Sequence, residues 1–116
     1  MISEEIRKAL AKRISTADEW DYGVKKCWEE EIEILSRNIE ETIEFFDHEC
    51  TEDEFSWFSE VFYEVAEKTQ SRPFIECLYR VAKKYPEGCK KYNVYSFIDE
   101  AAEAINDEAT AVRRSE

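Results

Sequence analysis

Four cysteines and a single histidine are the side chains of this chain best suited to nucleophilic or metal chemistry. A cysteine or serine nucleophile needs a base within hydrogen-bond reach. His48 is the only candidate base of that kind, with Cys50 two residues away. The pair lies in a strongly acidic stretch, where a histidine is ordinarily solvated. Structural zinc sites favour close ligand pairs, and Cys27, Cys50, Cys77 and Cys89 contain no Cys-x-x-Cys. Cys77 stands among Ile75, Leu78 and Val81, where a small buried thiol is the expected reading. Carboxylates are abundant, but a di-metal helical site draws Glu-x-x-His motifs from two helices, which one histidine cannot supply. No Walker motif, Gly-x-Gly-x-x-Gly or EF-hand spacing occurs. The reading is a non-enzyme: no catalytic, cofactor-binding or metal-ligating residue is assigned, and no cofactor is expected.

The distribution of charge is more telling than any motif. The formal net charge is −12, and residues 29–54 hold twelve acidic residues against one arginine, Arg37. The remainder of the chain is near neutral. Such a surface disfavours nucleic acid and anionic membranes and attracts basic partners over about a Debye length. No apolar run approaches the ~20 residues that span a bilayer, and the chain opens without a basic, then apolar, leader. The expectation is a cytoplasmic protein whose four thiols are reduced.

The elements that would carry this charge read as helices. The chain of 116 residues holds only two glycines and two prolines, too few for a hairpin-rich fold. A first helix is predicted from Ser3, as N-cap, to Ile14, with Ile2, Ile6, Leu10 and Ile14 as its apolar stripe and Lys8, Lys12 and Arg13 away from it. Residues 15–23 read as a connection ending at Gly23. A long second helix is predicted from Val24 to Asp47, with the stripe Val24, Trp28, Ile32, Leu35, Ile39, Ile43 and Phe46. A third begins at a capping box, Thr51 with Glu54, and runs to Lys68 through Phe55, Phe58, Phe62 and Val65. A fourth starts near Ser71, tolerates Pro73 in its first turn, and ends at Pro86 and Gly88. A turn around Cys89–Tyr92 leads to a last helix capped by Asn93 or Ser96. The fold class is therefore all-α: one domain over residues 1–106, an irregular bundle of five to six mostly antiparallel helices, with 107–116 a flexible tail.

An acidic run has two readings, a solvated helix face or a docking face. The second gains from aromatics nearby, since aromatic anchors ringed by charge fit the anatomy of binding hot spots. Trp28, Phe55 and Phe58 fall on apolar stripes, whereas no stripe claims Trp20 or Tyr22. Charge thus nominates Asp18, Asp21, Glu29, Glu33, Glu40, Glu44, Asp47 and Asp53 as a partner interface, with Trp20 and Tyr22 as anchors.

The stretch Asp53–Ala101 carries the segments Phe-Ser-Trp-Phe-Ser-Glu-Val-Phe, Lys-Thr-Gln-Ser-x-x-Phe-Ile-Glu-Cys-Leu, and Lys-Lys-Tyr-Pro-Glu followed by Tyr-Asn-Val-Tyr-Ser-Phe-Ile. Over about residues 50–105 this pattern resembles small acidic immunity proteins encoded beside bacterial polymorphic toxins, including contact-dependent growth inhibition systems. The resemblance implies an intracellular antitoxin that neutralises a cognate toxin domain by tight, stoichiometric binding as a 1:1 heterodimer. It transfers no catalytic residue and no interface position. Many such toxins are nucleases, basic because they bind phosphate, and an acidic inhibitor would be steered to them at high rate. A helical adaptor that binds a basic peptide or domain is the alternative reading; a mimic of nucleic-acid phosphates is a variant of it.

Overall fold

A computed structural model describes residues 2–16 and 21–105, apart from the side chain of Asp21. Among them, helices α1 (Ile2–Ser15), α2 (Asp21–Arg37), α3 (Ile39–His48), α4 (Glu52–Phe58), α5 (Phe62–Thr69), α6 (Arg72–Lys84), α7 (Pro86–Lys91) and α8 (Val94–Glu103) follow in order, with a 3-10 turn at Ser59–Val61 between α4 and α5. The fold is an all-α bundle. The helices are more numerous than five or six because two expected helices are interrupted and the stretch from Pro86 to Lys91, expected as a helix end followed by a turn around Cys89–Tyr92, is itself a helix. The expected tail, 107–116, lies outside the described residues.

Local chemistry accounts for most boundaries. Glu4 and Glu5 lie in the first turn of α1 and Lys12 and Arg13 in its last, each complementing the helix dipole. Ser3 is a buried residue inside this helix rather than its cap. Ile14, expected on the buried stripe, is 48% exposed, whereas Arg13 is buried. The reason is geometric: a strict four-residue spacing drifts by about 40° per step around a helix of 3.6 residues per turn. By the end of α1 the inward face has passed from the isoleucine row to Arg13.

The expected second helix is broken at Asn38, whose extended backbone and side-chain oxygen cap α3 by accepting the Glu41 N–H at 3.3 Å. The buried Thr42 hydroxyl donates to the Leu35 carbonyl at 2.7 Å, satisfying an oxygen left over at the end of α2. Gly23, expected as a break, is a buried residue within α2.

The capping box at Thr51 and Glu54 forms as expected. Glu54 N–H donates to the Thr51 hydroxyl at 3.2 Å, and Thr51 N–H donates to the Glu54 carboxylate at 2.9 Å. Removing that hydroxyl in Thr51→Ala is expected to cost about 1 kcal/mol, measurable as a lower urea midpoint at unchanged slope. An unchanged midpoint would mean that water replaces the cap without loss. Ser71 caps α6 by accepting the Phe74 N–H at 3.2 Å, with a proline in the first turn. The fourth helix stops at Lys84; Pro86 opens α7 rather than closing α6, and Gly88 lies inside α7. Asn93 precedes α8 in the left-handed region without a side-chain cap.

One hydrophobic core runs from Ile6 to Ile105. Helix α1 pairs with α2, α3 with α6, and α5 with α8, which also lies against α6. Phe46 sits at the centre, fully buried, with the rings of Phe45, Phe55, Phe58, Phe62 and Phe74 at centroid distances of 5.7, 5.9, 5.7, 6.2 and 6.2 Å. Most of these contacts are edge-to-face, the arrangement favoured by the ring quadrupoles.

Candidate functional site

The cysteines and the histidine do not assemble a nucleophile. Cys27, Cys50, Cys77 and Cys89 are free and buried. Burial raises the thiol pKa of Cys50, and pushes that of Cys77 up to about 12. Both shifts run opposite to what a reactive thiolate requires. His48 is exposed, with Nε2 3.7 Å from the Glu44 carboxylate. Among the described residues no group of three or more histidine, cysteine or acidic side chains is placed to hold a metal ion. No helix among them is long and apolar enough to cross a membrane.

The acidic segment divides into carboxylates that the fold uses and carboxylates that it leaves outside. Glu54 holds the Arg7 guanidinium at 2.9 Å, joining α4 to α1. Asp47 receives Arg80 at 2.9 Å, and Lys84 donates to the Asp47 backbone carbonyl at 2.6 Å, so α3 is tied to α6. The Arg80 hydrogen bond holds the Asp47 carboxyl below its ordinary pKa. Glu33 forms a two-pronged pair with Arg37 at 2.7 and 3.2 Å, and Arg37 also reaches Glu5 at 2.8 Å. Glu30 is 3.3 Å from Lys12.

Glu29 on α2 and Glu40, Glu41 and Glu44 on α3 are exposed. None of these four pairs with a lysine or arginine among the described residues. Tyr22 begins the same outer face of α2, 64% exposed, with Lys26 Nζ 5.7 Å from its ring centre. Of the residues nominated from charge, Tyr22, Glu29, Glu33, Glu40 and Glu44 therefore lie exposed on the adjoining helices α2 and α3. Asp47 is half-buried in the α3–α6 contact. Asp53 belongs to a different place, a cleft on α4 beside Trp57 and Tyr92. Asp18, Trp20 and the side chain of Asp21 lie outside the described residues.

A buried polar cluster beneath α2 escaped the sequence reading. Arg13, 5% exposed, donates from Nε and Nη2 to the two oxygens of Glu60 at 2.9 and 2.8 Å. The Trp28 indole N–H donates to the same carboxylate at 3.2 Å, and the Arg13 guanidinium lies 5.2 Å from the Trp57 ring centre. Beside them Glu31 is 1% exposed, and neither of its carboxyl oxygens has a hydrogen-bond partner. Burial, reinforced by Glu60 and opposed by Arg13, pushes its pKa up to about 8. At neutral pH Glu31 is thus mainly the neutral acid, and the segment carries one charge fewer than its composition implies. A signal did exist. Glu31 is three residues after Trp28 and four before Leu35, and Arg13 is three after Leu10, so both occupy core-facing helical positions.

No protein-family model matches this chain, and neither the curated proteins nor the solved structures include a match to it.

Proposed function

We propose that the chain is an immunity-type protein that acts in the cytoplasm by binding a basic toxin domain, a nuclease foremost, in a 1:1 complex that silences it. The observation that carries this reading is the set of exposed carboxylates Glu29, Glu40, Glu41 and Glu44, which no lysine or arginine of the described fold neutralises. Carboxylates that hold helices together are already spoken for; these four are not. Exposed charge costs little to keep in water, so it is available to steer a positive partner and then to pair with it at contact. The segment resemblance over residues 50–105 supplies the class of partner, and the acidic surface supplies a physical reason for its sign.

The test is reversal of that charge. In Glu29→Lys, Glu40→Lys and Glu44→Lys combined, association with the captured partner is expected to slow by roughly ten- to a hundred-fold at low salt. The dependence of its rate on ionic strength should flatten as well. Stopped-flow mixing measures both. A triple variant that associates as fast as the parent, with the same salt dependence, would remove α2 and α3 from the interface. Glu33 is left out because it is already paired with Arg37 at 2.7 Å, and a lysine there would set two cations against each other within α2.

A further inference from the structure

The α2 groove, lined by Lys26, Glu29, Glu30, Glu33 and Arg37, interleaves both signs and so offers no seat for a single side chain of one charge. The cleft on the other acidic element does select. It opens against α4, a concavity of about 210 Å³ whose walls include Asp53, Trp57, Glu60 and Tyr92. It continues, sharing Asp53 and Tyr92, into a second space of about 250 Å³ that reaches Glu87 and Lys91 of α7. Glu52 closes its floor by accepting the Gly88 N–H at 3.1 Å. A Cβ at Gly88 would stand 2.7 Å from the same carboxylate oxygen, so a larger residue there would push the Glu52 side chain aside.

We infer that this cleft is the seat for a basic side chain, foremost an arginine, projected by the protein partner. The inference rests on the partner-binding reading above and names the contact within it. Three features favour arginine. Two aromatic rings line one wall space, and Tyr92 is 49% exposed. Both rings already accept cations within this fold, Arg13 at 5.2 Å from the Trp57 centre and Lys91 at 5.3 Å from the Tyr92 centre. Asp53 and Glu87 are exposed and form no ion pair among the described residues, while Lys91 is the one lysine or arginine that lines either space. A planar guanidinium can stack on an aromatic ring and direct its N–H groups at a carboxylate at the same time, which an ammonium cannot. The volume admits one long side chain rather than a folded element.

The experiment is an NMR titration of the full chain with acetyl-Gly-Arg-Gly-amide, against the neutral citrulline peptide of the same shape. The Trp57 indole resonance is assigned with Trp57→Phe. Saturable shifts are expected at the Trp57 indole and at the Asp53 and Tyr92 amides, with the citrulline peptide at least roughly tenfold weaker. Asp53→Asn and Tyr92→Ala should each weaken the arginine peptide several-fold, while Glu76→Gln, an exposed carboxylate on α6, should leave it unchanged. Equal binding of the two peptides, or shifts centred on α2 and α3, or no saturable shift, would each overturn the cleft as the arginine seat. None of these results bears on whether a toxin is captured, which separates failure of the cleft from failure of the partner-binding reading.

Discussion

Replacing Glu31 by glutamine is expected to make the protein more stable near pH 9 and to leave it almost unchanged near pH 5. The folded chain releases the Glu31 proton at about 8, whereas the ordinary carboxyl value is 4.5. Between those values the folded state keeps a proton that the unfolded state has lost. Stability therefore falls as pH rises through that window and levels off above it. The whole shift corresponds to at most about 5 kcal/mol. Relaxation around the ionised carboxylate reduces that figure, so a gain of about 2–4 kcal/mol for the variant near pH 9 is the expected size.

Glutamine has the shape of the protonated acid and cannot ionise, so it removes the slope without opening a cavity. The charged neighbours stay in place: Arg13 on α1, Glu60 on the 3-10 turn and Glu30 on α2. Asp47 contributes in the opposite sense, since Arg80 depresses its pKa. Its stabilisation is present above the ordinary carboxylate range and is lost at lower pH, outside the Glu31 window. Urea unfolding of both proteins between pH 5 and about 9 measures the difference. Parallel profiles for parent and variant would show that Glu31 is solvated or already charged in the folded chain.

Truncation of Phe46 to alanine is expected to cost about 3–5 kcal/mol. The ring is fully buried and touches five other phenylalanine rings drawn from α3, α4, α5 and α6. Its removal leaves a cavity that four separate helices would have to move to fill. A domain of this size is ordinarily stable by only ~5–15 kcal/mol, so the variant should lose a large share of the fold's stability, read as a much lower urea midpoint. Phe46→Leu keeps much of the volume and should cost markedly less. A loss below about 1 kcal/mol for Phe46→Ala would mean that the core collapses around the gap and that the ring cluster does not organise the bundle.

The boundaries that could be read from sequence were those written in a few adjacent residues. Thr51 with Glu54, and Ser71 with Pro73, announce helix starts through their own hydrogen-bonding chemistry, and both starts occur where expected. The break at Asn38 was not legible from periodicity, because Ile39, Ile43 and Phe46 remain in phase with Leu35 across it. The remaining clue was chemical: an asparagine followed by Glu40 and Glu41 is a favourable helix start.

The candidate surface shows the same division. The concentration of acid between residues 29 and 54 is plain from sequence. Which of those carboxylates are consumed is not, because their partners lie far along the chain. Glu54 meets Arg7 across 47 residues, and Asp47 meets Arg80 across 33. Tertiary pairing thus removes Asp47 from the exposed acidic surface, and topology carries Asp53 to the aromatic cleft on α4. Glu31 was counted as surface charge because four glutamates in five positions read as a solvated run, although its spacing places it inward.

The most direct measurement of the central claim is a capture-and-rescue experiment. A tagged copy is expressed in the native host, and whatever remains bound at high ionic strength is identified and weighed against the bait. The expected result is a single basic domain in 1:1 ratio that arrests growth when expressed alone, with growth restored when this chain is co-expressed. Retention of no partner, or of a harmless peptide-bearing protein in place of a toxic domain, would contradict the immunity reading and leave the acidic surface to an adaptor.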